Sequence, residues 1–200
     1  MSNLVIAEHD QNSLKSSTLS AVTAALAIGG DVDILVCGKG ADDVAKSAAL
    51  VCGVSKVIHV DNEIYEHQLA ESVAPLVSEI GKTYSGVLTP ATTTGKNLLP
   101  RVAALLDVSQ ISDIVNVKSN NVFQRPIYAG NAIATVESSD SIKVITVRAT
   151  AFSEAEVGEI PAPIEDVSLV FAQELSQFIG ERLSQSERPE LTSAGIIISG

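Results

Sequence analysis

The first half of this chain alternates short, continuous apolar runs with longer segments whose apolar side chains recur at helical spacing, and few folds accommodate that alternation. Leu4-Val5-Ile6-Ala7 is the first such run. A polar loop leads from it to a segment with Leu19, Val22 and Leu26 on one helical face. Gly29-Gly30 ends that helix by supplying positive φ. Val32 to Cys37 resumes as a β-branched run that closes at Gly38-Lys39-Gly40. Asp42-Asp43 then place negative charge in the first turn of a second helix through Val44, Ala48 and Val51. Gly53 ends it before a third strand, Lys56 to Val60. Leu69, Val73, Leu76, Val77 and Ile80 trace a third helix that stops at Gly81, Tyr84 to Thr89 reads as a fourth strand, and Leu98, Leu99, Val102, Leu105 and Leu106 as a fourth helix. Parallel neighbours need crossover connections, so this order predicts an α/β fold: a parallel sheet covered by helices on both faces.

After Asp107 the texture changes. Ile114 to Val117, Val122 to Tyr128, Ala132 to Val136 and Ile142 to Val147 are strand-like runs separated by polar turns, which predicts hairpins in an antiparallel or mixed extension. Pro161-Ala162-Pro163 breaks the chain ahead of a helix expected to carry Val170, Phe171, Leu175, Phe178, Ile179 and Leu183. Leu191 to Ser199 reads as a turn running into a new buried strand, either the opening of a further domain or an added edge strand. The expected division is an α/β domain over 1–183 and a linker with the first strand of an absent domain over 184–200.

Composition narrows the function classes. With 46% apolar and 18% charged residues the 200-residue chain is globular, and its formal charge of −11 repels nucleic acid and anionic lipid alike. The charge is uneven, because Ala151 to Gly200 holds nine acids and two bases. No apolar stretch approaches the length of a membrane span, which predicts no membrane insertion. With no cleavable leader at Met1 to Asp10, a cytoplasmic location is expected. Cys37 and Cys52 are expected to be reduced and structural. His9, His59 and His67 make no metal-type spacing with them, so surface or loop histidines are expected and no metal. The pairs Asp42-Asp43 and Glu165-Asp166 are read as helix-start charges rather than an acid-base set. No catalytic constellation emerges, and the chain does not read as an enzyme.

One anion-site candidate remains. Thr92-Thr93-Thr94-Gly95-Lys96 brings hydroxyls, a glycine and an ammonium to a helix start, where unpaired amides attract anions; Thr93, Thr94, Gly95 and Lys96 are the candidate ligands. It is not a Walker motif, since Pro90 and Asn97 stand at key positions, and a structural N-cap is the plain alternative. The dinucleotide fingerprint fails, because Ala7-Glu8-His9-Asp10 carries no glycine after the first strand.

Three segments carry a family resemblance: Thr94-Gly95-Lys96-Asn97-Leu98-Leu99-Pro100-Arg101-Val102-Ala103-Ala104-Leu105-Leu106, then Arg125-Pro126-Ile127-Tyr128-Ala129-Gly130-Asn131-Ala132, then Glu187-Arg188-Pro189-Glu190-Leu191. In this order they resemble the α subunit of electron-transfer flavoproteins, from the opening strand to the last residue. The resemblance implies a Rossmann-like body of the adenine nucleotide α-hydrolase-like type, paired with a β subunit that commonly holds AMP. It implies that FAD is bound mainly beyond Gly200. It further implies that the intact protein carries electrons from flavin dehydrogenases, such as those of fatty acid oxidation acting on acyl-CoA, to a quinone reductase. The setting is the bacterial cytoplasm, or the mitochondrial matrix in a eukaryote. This chain is then a scaffold; a stand-alone nucleotide-binding module using Thr92 to Lys96 is the competing reading. In the middle motif Gly130 and Asn131 tolerate left-handed backbone, and Arg125, Tyr128 and Asn131 are candidate subunit-interface residues, with an internal hairpin as the alternative.

Overall fold

The computed structural model describes residues 1–182, 194 and 196–199. Its first half alternates as the spacing predicts: β1 (Ser2–Ile6), α1 (Ser16–Ile28), β2 (Asp31–Gly38), α2 (Asp42–Ala49), β3 (Lys56–Asp61), α3 (Ala70–Gly81), β4 (Gly86–Pro90) and α4 (Thr93–Leu106). The residues that α1 buries are small, Ala21, Ala24 and Ala25 beside Val22, so its axis lies close on the sheet. Gly29 and Gly30 end it at φ 95° and 86°. Asp42 and Asp43 occupy the first turn of α2, as expected from the helix dipole.

The second half adds β5 (Gln110–Ile114), β6 (Asn116–Val117), β7 (Val122–Ile127), β8 (Ala132–Glu137), β9 (Lys143–Val147) and β10 (Ile164–Asp166). Seven strands form one sheet in the order β10-β3-β2-β1-β4-β9-β5, and every neighbouring pair in it is parallel. The remaining three form an antiparallel sheet, β6-β7-β8. The β7–β8 hairpin is therefore where the sequence puts it, but Ile142–Val147 is not part of that extension. It is β9, inserted between β4 and β5. Val144, Ile145 and Val147 are wholly buried, and a run buried on both faces belongs to the interior of a parallel sheet.

Alternation within the strands sends side chains to two cores. Val5, Ile34, Val36 and Ile145 meet α1 and α2 on one face, where Phe123 from β7 joins them. Leu4, Ile6, Leu35 and Val144 meet α3 and α4 on the other, around Tyr65. Tyr65 and Phe123 are the largest fully buried side chains among the described residues.

Past Pro163 the structure corrects the sequence reading. Glu165 and Asp166 do not start a helix. They lie in β10, paired in parallel with β3, where Glu165 meets Lys56 at 2.8 Å and Asp166 meets His59 at 2.8 Å. His59 is thus a buried strand residue and not a surface or loop one. The expected helix through Val170 and Ile179 is absent over 167–182, while Leu183 lies outside the described residues. The segment is a strap whose side chains find separate partners. Phe171 packs on the Tyr65 core and its N–H donates to the Tyr65 hydroxyl, which itself donates to the Leu169 carbonyl. Phe178 stacks on His67 with ring centroids 3.7 Å apart. Backbone groups tied down in this way are not available for a helical ladder.

Residues 196–199 form no strand with the described residues, and Ile196, Ile197 and Ile198 are exposed. The expected linker over Ser184 to Glu190, and the Glu187-Arg188-Pro189-Glu190-Leu191 motif, lie outside the described residues. Cys37 is buried, and burial pushes its thiol up to about 12, so it stays protonated and inert. Cys52 is exposed and so is not the core hydrophobe that its apolar run suggests.

Candidate functional site

In the strand order, β1 is followed through α1 by its neighbour β2, whereas β4 is followed through α4 toward the opposite edge. The chain reverses direction between β1 and β4, and in open α/β sheets ligands bind in the crevice outside the carboxyl ends of the strands at such a point. A crevice of about 990 Å³ opens there. Its wall takes Glu8, Lys15, Ser16 and Ser17 from the β1–α1 connection, Thr92, Thr93 and Lys96 from the start of α4, and Asp113, Arg148 and Thr150 from the β5 and β9 ends.

Several polar groups of this crevice are paired with one another, and Lys15 pairs with Asp10 beside it at 3.2 Å. Thr92 caps α4, its hydroxyl oxygen accepting from the Gly95 N–H at 3.2 Å. The same hydroxyl donates to Glu8 Oε1 at 2.9 Å, and the Ser17 hydroxyl at the start of α1 donates to Glu8 Oε2 at 3.0 Å. The Glu8 backbone is held too: its N–H donates to Thr18 Oγ1 at 3.0 Å and its carbonyl accepts from the Lys15 N–H at 2.8 Å. On the far wall the Arg148 guanidinium forks onto both Asp113 carboxylate oxygens, with Nε to Oδ1 at 3.1 Å. Asp113 sits at φ 60°, and its N–H donates to Thr146 Oγ1 at 2.8 Å.

Of the four candidate anion ligands, Thr93 and Lys96 face the crevice. Thr94 is exposed and does not line it. Gly95 is buried against the end of β4: a Cβ there would lie 2.0 Å from the Pro90 carbonyl oxygen and 2.8 Å from Thr89 Cγ2. Helix-to-strand packing by itself requires a glycine here. The capping role of Thr92, the plain alternative, is present.

A pyrophosphate-binding turn after the first strand needs glycines, and Ala7-Glu8-His9-Asp10 supplies a carboxylate instead. With Glu8 set between the first turns of α1 and α4, the residues lining this crevice do not fit FAD. In the sequence this tetrapeptide stands out only for its missing glycines. Its position directly after the first strand of a doubly wound sheet was the available signal for Glu8; the Asp113–Arg148 pair gave none.

The interface candidates divide. Tyr128 and Asn131 stand together at the tip of the β7–β8 hairpin, where Asn131 Nδ2 donates to the Tyr128 carbonyl at 2.9 Å. Tyr128 is 79% exposed. The left-handed residues of this turn are Tyr128, Ala129 and Gly130, at φ 49°, 55° and 91°, whereas Asn131 is at φ −72°. Asn131 thus supports the turn through its side chain and not, as expected, through left-handed backbone. Arg125 does not join them. It lines a separate hollow of about 270 Å³ with Gln110, Val136, Glu137 and Asp140, and its buried Nε has no hydrogen-bond partner among the described residues.

Comparison with known proteins fits this architecture. The electron transfer flavoprotein domain model matches residues 3–172. The chain is 58% identical over 200 residues to the electron transfer flavoprotein subunit alpha of Pseudomonas aeruginosa, covering 100% of this chain and 65% of that protein. It is 50% identical to the subunit of the same name from Bradyrhizobium diazoefficiens, covering 100% of this chain and 63% of the relative. A mitochondrial subunit alpha from Dictyostelium discoideum is 46% identical, with 98% of this chain and 60% of the relative covered. The chain thus spans a little under two thirds of the length of the curated relatives it matches. With a doubly wound body, a matching domain model and relatives of this identity along its whole length, the chain belongs to the electron transfer flavoprotein family.

Proposed function

We propose that this chain is the α/β scaffold of an electron-transfer flavoprotein α subunit, a carrier component and not a catalyst. In this reading FAD is held by sequence outside the chain, and a β subunit, which carries AMP, docks against the scaffold. The assembled protein takes electrons from flavin dehydrogenases such as those acting on acyl-CoA and delivers them to a quinone reductase. It works in the bacterial cytoplasm, or in the matrix where the protein is mitochondrial. No helix among the described residues is long and apolar enough to cross a membrane.

The observation that carries the reading is the hairpin tip. Three successive positive-φ residues hold Tyr128 almost fully outward, and local strain of this kind persists where a structure uses the displayed group. Tyrosine offers large amphipathic contact area at small entropic cost, as interfaces favour. Arg125, whose Nε is buried in the separate hollow, takes no part in this tip.

Titration of the chain with an electron-transfer flavoprotein β subunit tests this. Tyr128→Ala is expected to weaken association about tenfold, as truncating an aromatic anchor does, while leaving thermal unfolding unchanged. Equal affinity for wild type and variant removes the hairpin from the interface. A chain that binds no β subunit removes the scaffold reading itself.

A further inference from the structure

A doubly wound sheet with a crevice at its switch point is the usual place for a nucleotide, yet the polar groups that such a ligand needs are engaged here by the chain itself. Two helices, α1 and α4, begin at this crevice, and neither carries an acidic residue in its first turn. The other two do, with Asp42 and Asp43 in α2 and Glu71 in α3. Partial positive charge at a helix start draws anions, and α2 and α3 meet that need from their own sequence. For α1 and α4 it is met from outside the helices. One carboxylate, Glu8, receives the Ser17 hydroxyl on one oxygen and the Thr92 hydroxyl on the other. The two acceptor oxygens of a carboxylate thereby stand in for two oxygens of a phosphate between two helix N-termini.

We propose that Glu8 is a built-in anion that takes the place of a nucleotide's phosphate, and that this single carboxylate is what makes the crevice refuse mononucleotides. On the remaining wall Lys96 faces the space and would favour an anion, while Lys15 is paired with Asp10 at 3.2 Å and Arg148 with Asp113. A phosphate entering beside Glu8 would meet a like charge and would find the Ser17 and Thr92 hydroxyls taken. Discrimination by a repulsive element of this kind needs no change of fold. The backbone around Glu8 is tied by main-chain bonds, Ala7 N–H to Leu35 O at 2.9 Å and Lys15 N–H to Glu8 O at 2.8 Å, so the loop keeps its course when the side chain changes. The inference goes beyond the scaffold reading and shares none of its observations: association with a β subunit tests one, and ligand binding by this chain alone tests the other.

The test is calorimetric titration of the 200-residue chain with AMP, and separately with inorganic phosphate, for wild type, Glu8→Gln and Glu8→Ala. Glu8→Gln keeps the size and one acceptor but removes the charge; Glu8→Ala also vacates the space. Wild type is expected to show no saturable binding of either probe, and both variants are expected to bind AMP at least tenfold more tightly than wild type. The gain should shrink as salt is raised, as an electrostatic origin requires. Saturable AMP binding by wild type at the affinity of the variants overturns the proposal. So does an unchanged, undetectable affinity in variants whose circular dichroism and melting match wild type. If both variants prove too unstable to titrate, wild type alone still decides, because stoichiometric AMP bound to the intact Glu8 chain contradicts it.

Discussion

Replacing Phe123 by alanine is expected to lower the free energy of unfolding by about 3–5 kcal/mol, the cost of emptying a large aromatic site in a packed core. Phe123 belongs to β7 of the small antiparallel sheet, yet its ring is wholly buried among residues of the main body, including Ile111, Ile114 and Val147. It is the anchor that fixes the three-stranded excursion to the seven-stranded sheet. Loss of the ring should therefore do two things at once. Denaturant unfolding should shift to lower midpoint, and amide exchange in β7 and β8 should quicken ahead of that in β1 and β2. A change below about 1 kcal/mol, with exchange in the hairpin unaltered, would mean that the excursion is held some other way.

Gly95→Ala is expected to cost about 3 kcal/mol, the upper end of the overpacking range, because the obstacle is backbone and cannot rotate away. The added methyl would stand 2.0 Å from the Pro90 carbonyl oxygen, so the first turn of α4 must lift from the end of β4. Thr94→Ala, one residue earlier and exposed, should stay within about 0.5 kcal/mol of wild type. The pair separates the two roles offered for this glycine. A phosphate-cradle glycine could accept alanine with little effect on stability and a large one on ligand binding; a packing glycine gives the opposite result. Equal melting of the two variants would return Gly95 to the cradle.

How much of this molecule was legible beforehand depends on whether the signal is local. The alternation from β1 to α4 was legible because each element carries its own periodicity and stop. The place of β9 was not, since a β-branched run such as Val144-Ile145-Thr146-Val147 announces a strand but not which neighbours it has. Only the excursion through β6, β7 and β8 explains how β9 comes to lie between β4 and β5. The strap after Pro163 misled for a different reason. Val170, Phe171, Leu175, Phe178 and Ile179 have helical spacing, but Phe171 is used against the Tyr65 core and Phe178 against His67, while Leu175 and Ile179 are exposed. No common face exists for that spacing to build. In β10 the side chains are all exposed and the strand is made by backbone pairing to β3, which leaves no pattern to read.

The candidate site was half legible. The Thr92 cap and its helix start follow from local sequence, and Thr93 and Lys96 do reach the crevice. What decides the chemistry of that crevice is the meeting of Glu8 with Ser17 and Thr92, and Glu8 and Thr92 are 84 residues apart in the chain. Such a contact is a property of the strand order. The hairpin tip lay between these cases: its glycine and asparagine announced a turn, but the left-handed backbone fell on Tyr128, Ala129 and Gly130.

The central claim is that this chain supplies protein framework to a flavoprotein and holds no flavin of its own. Its most direct test is the visible absorption spectrum of the 200-residue chain purified without any β subunit. The account predicts a colourless protein with no flavin band; a yellow protein carrying one flavin per chain would contradict it.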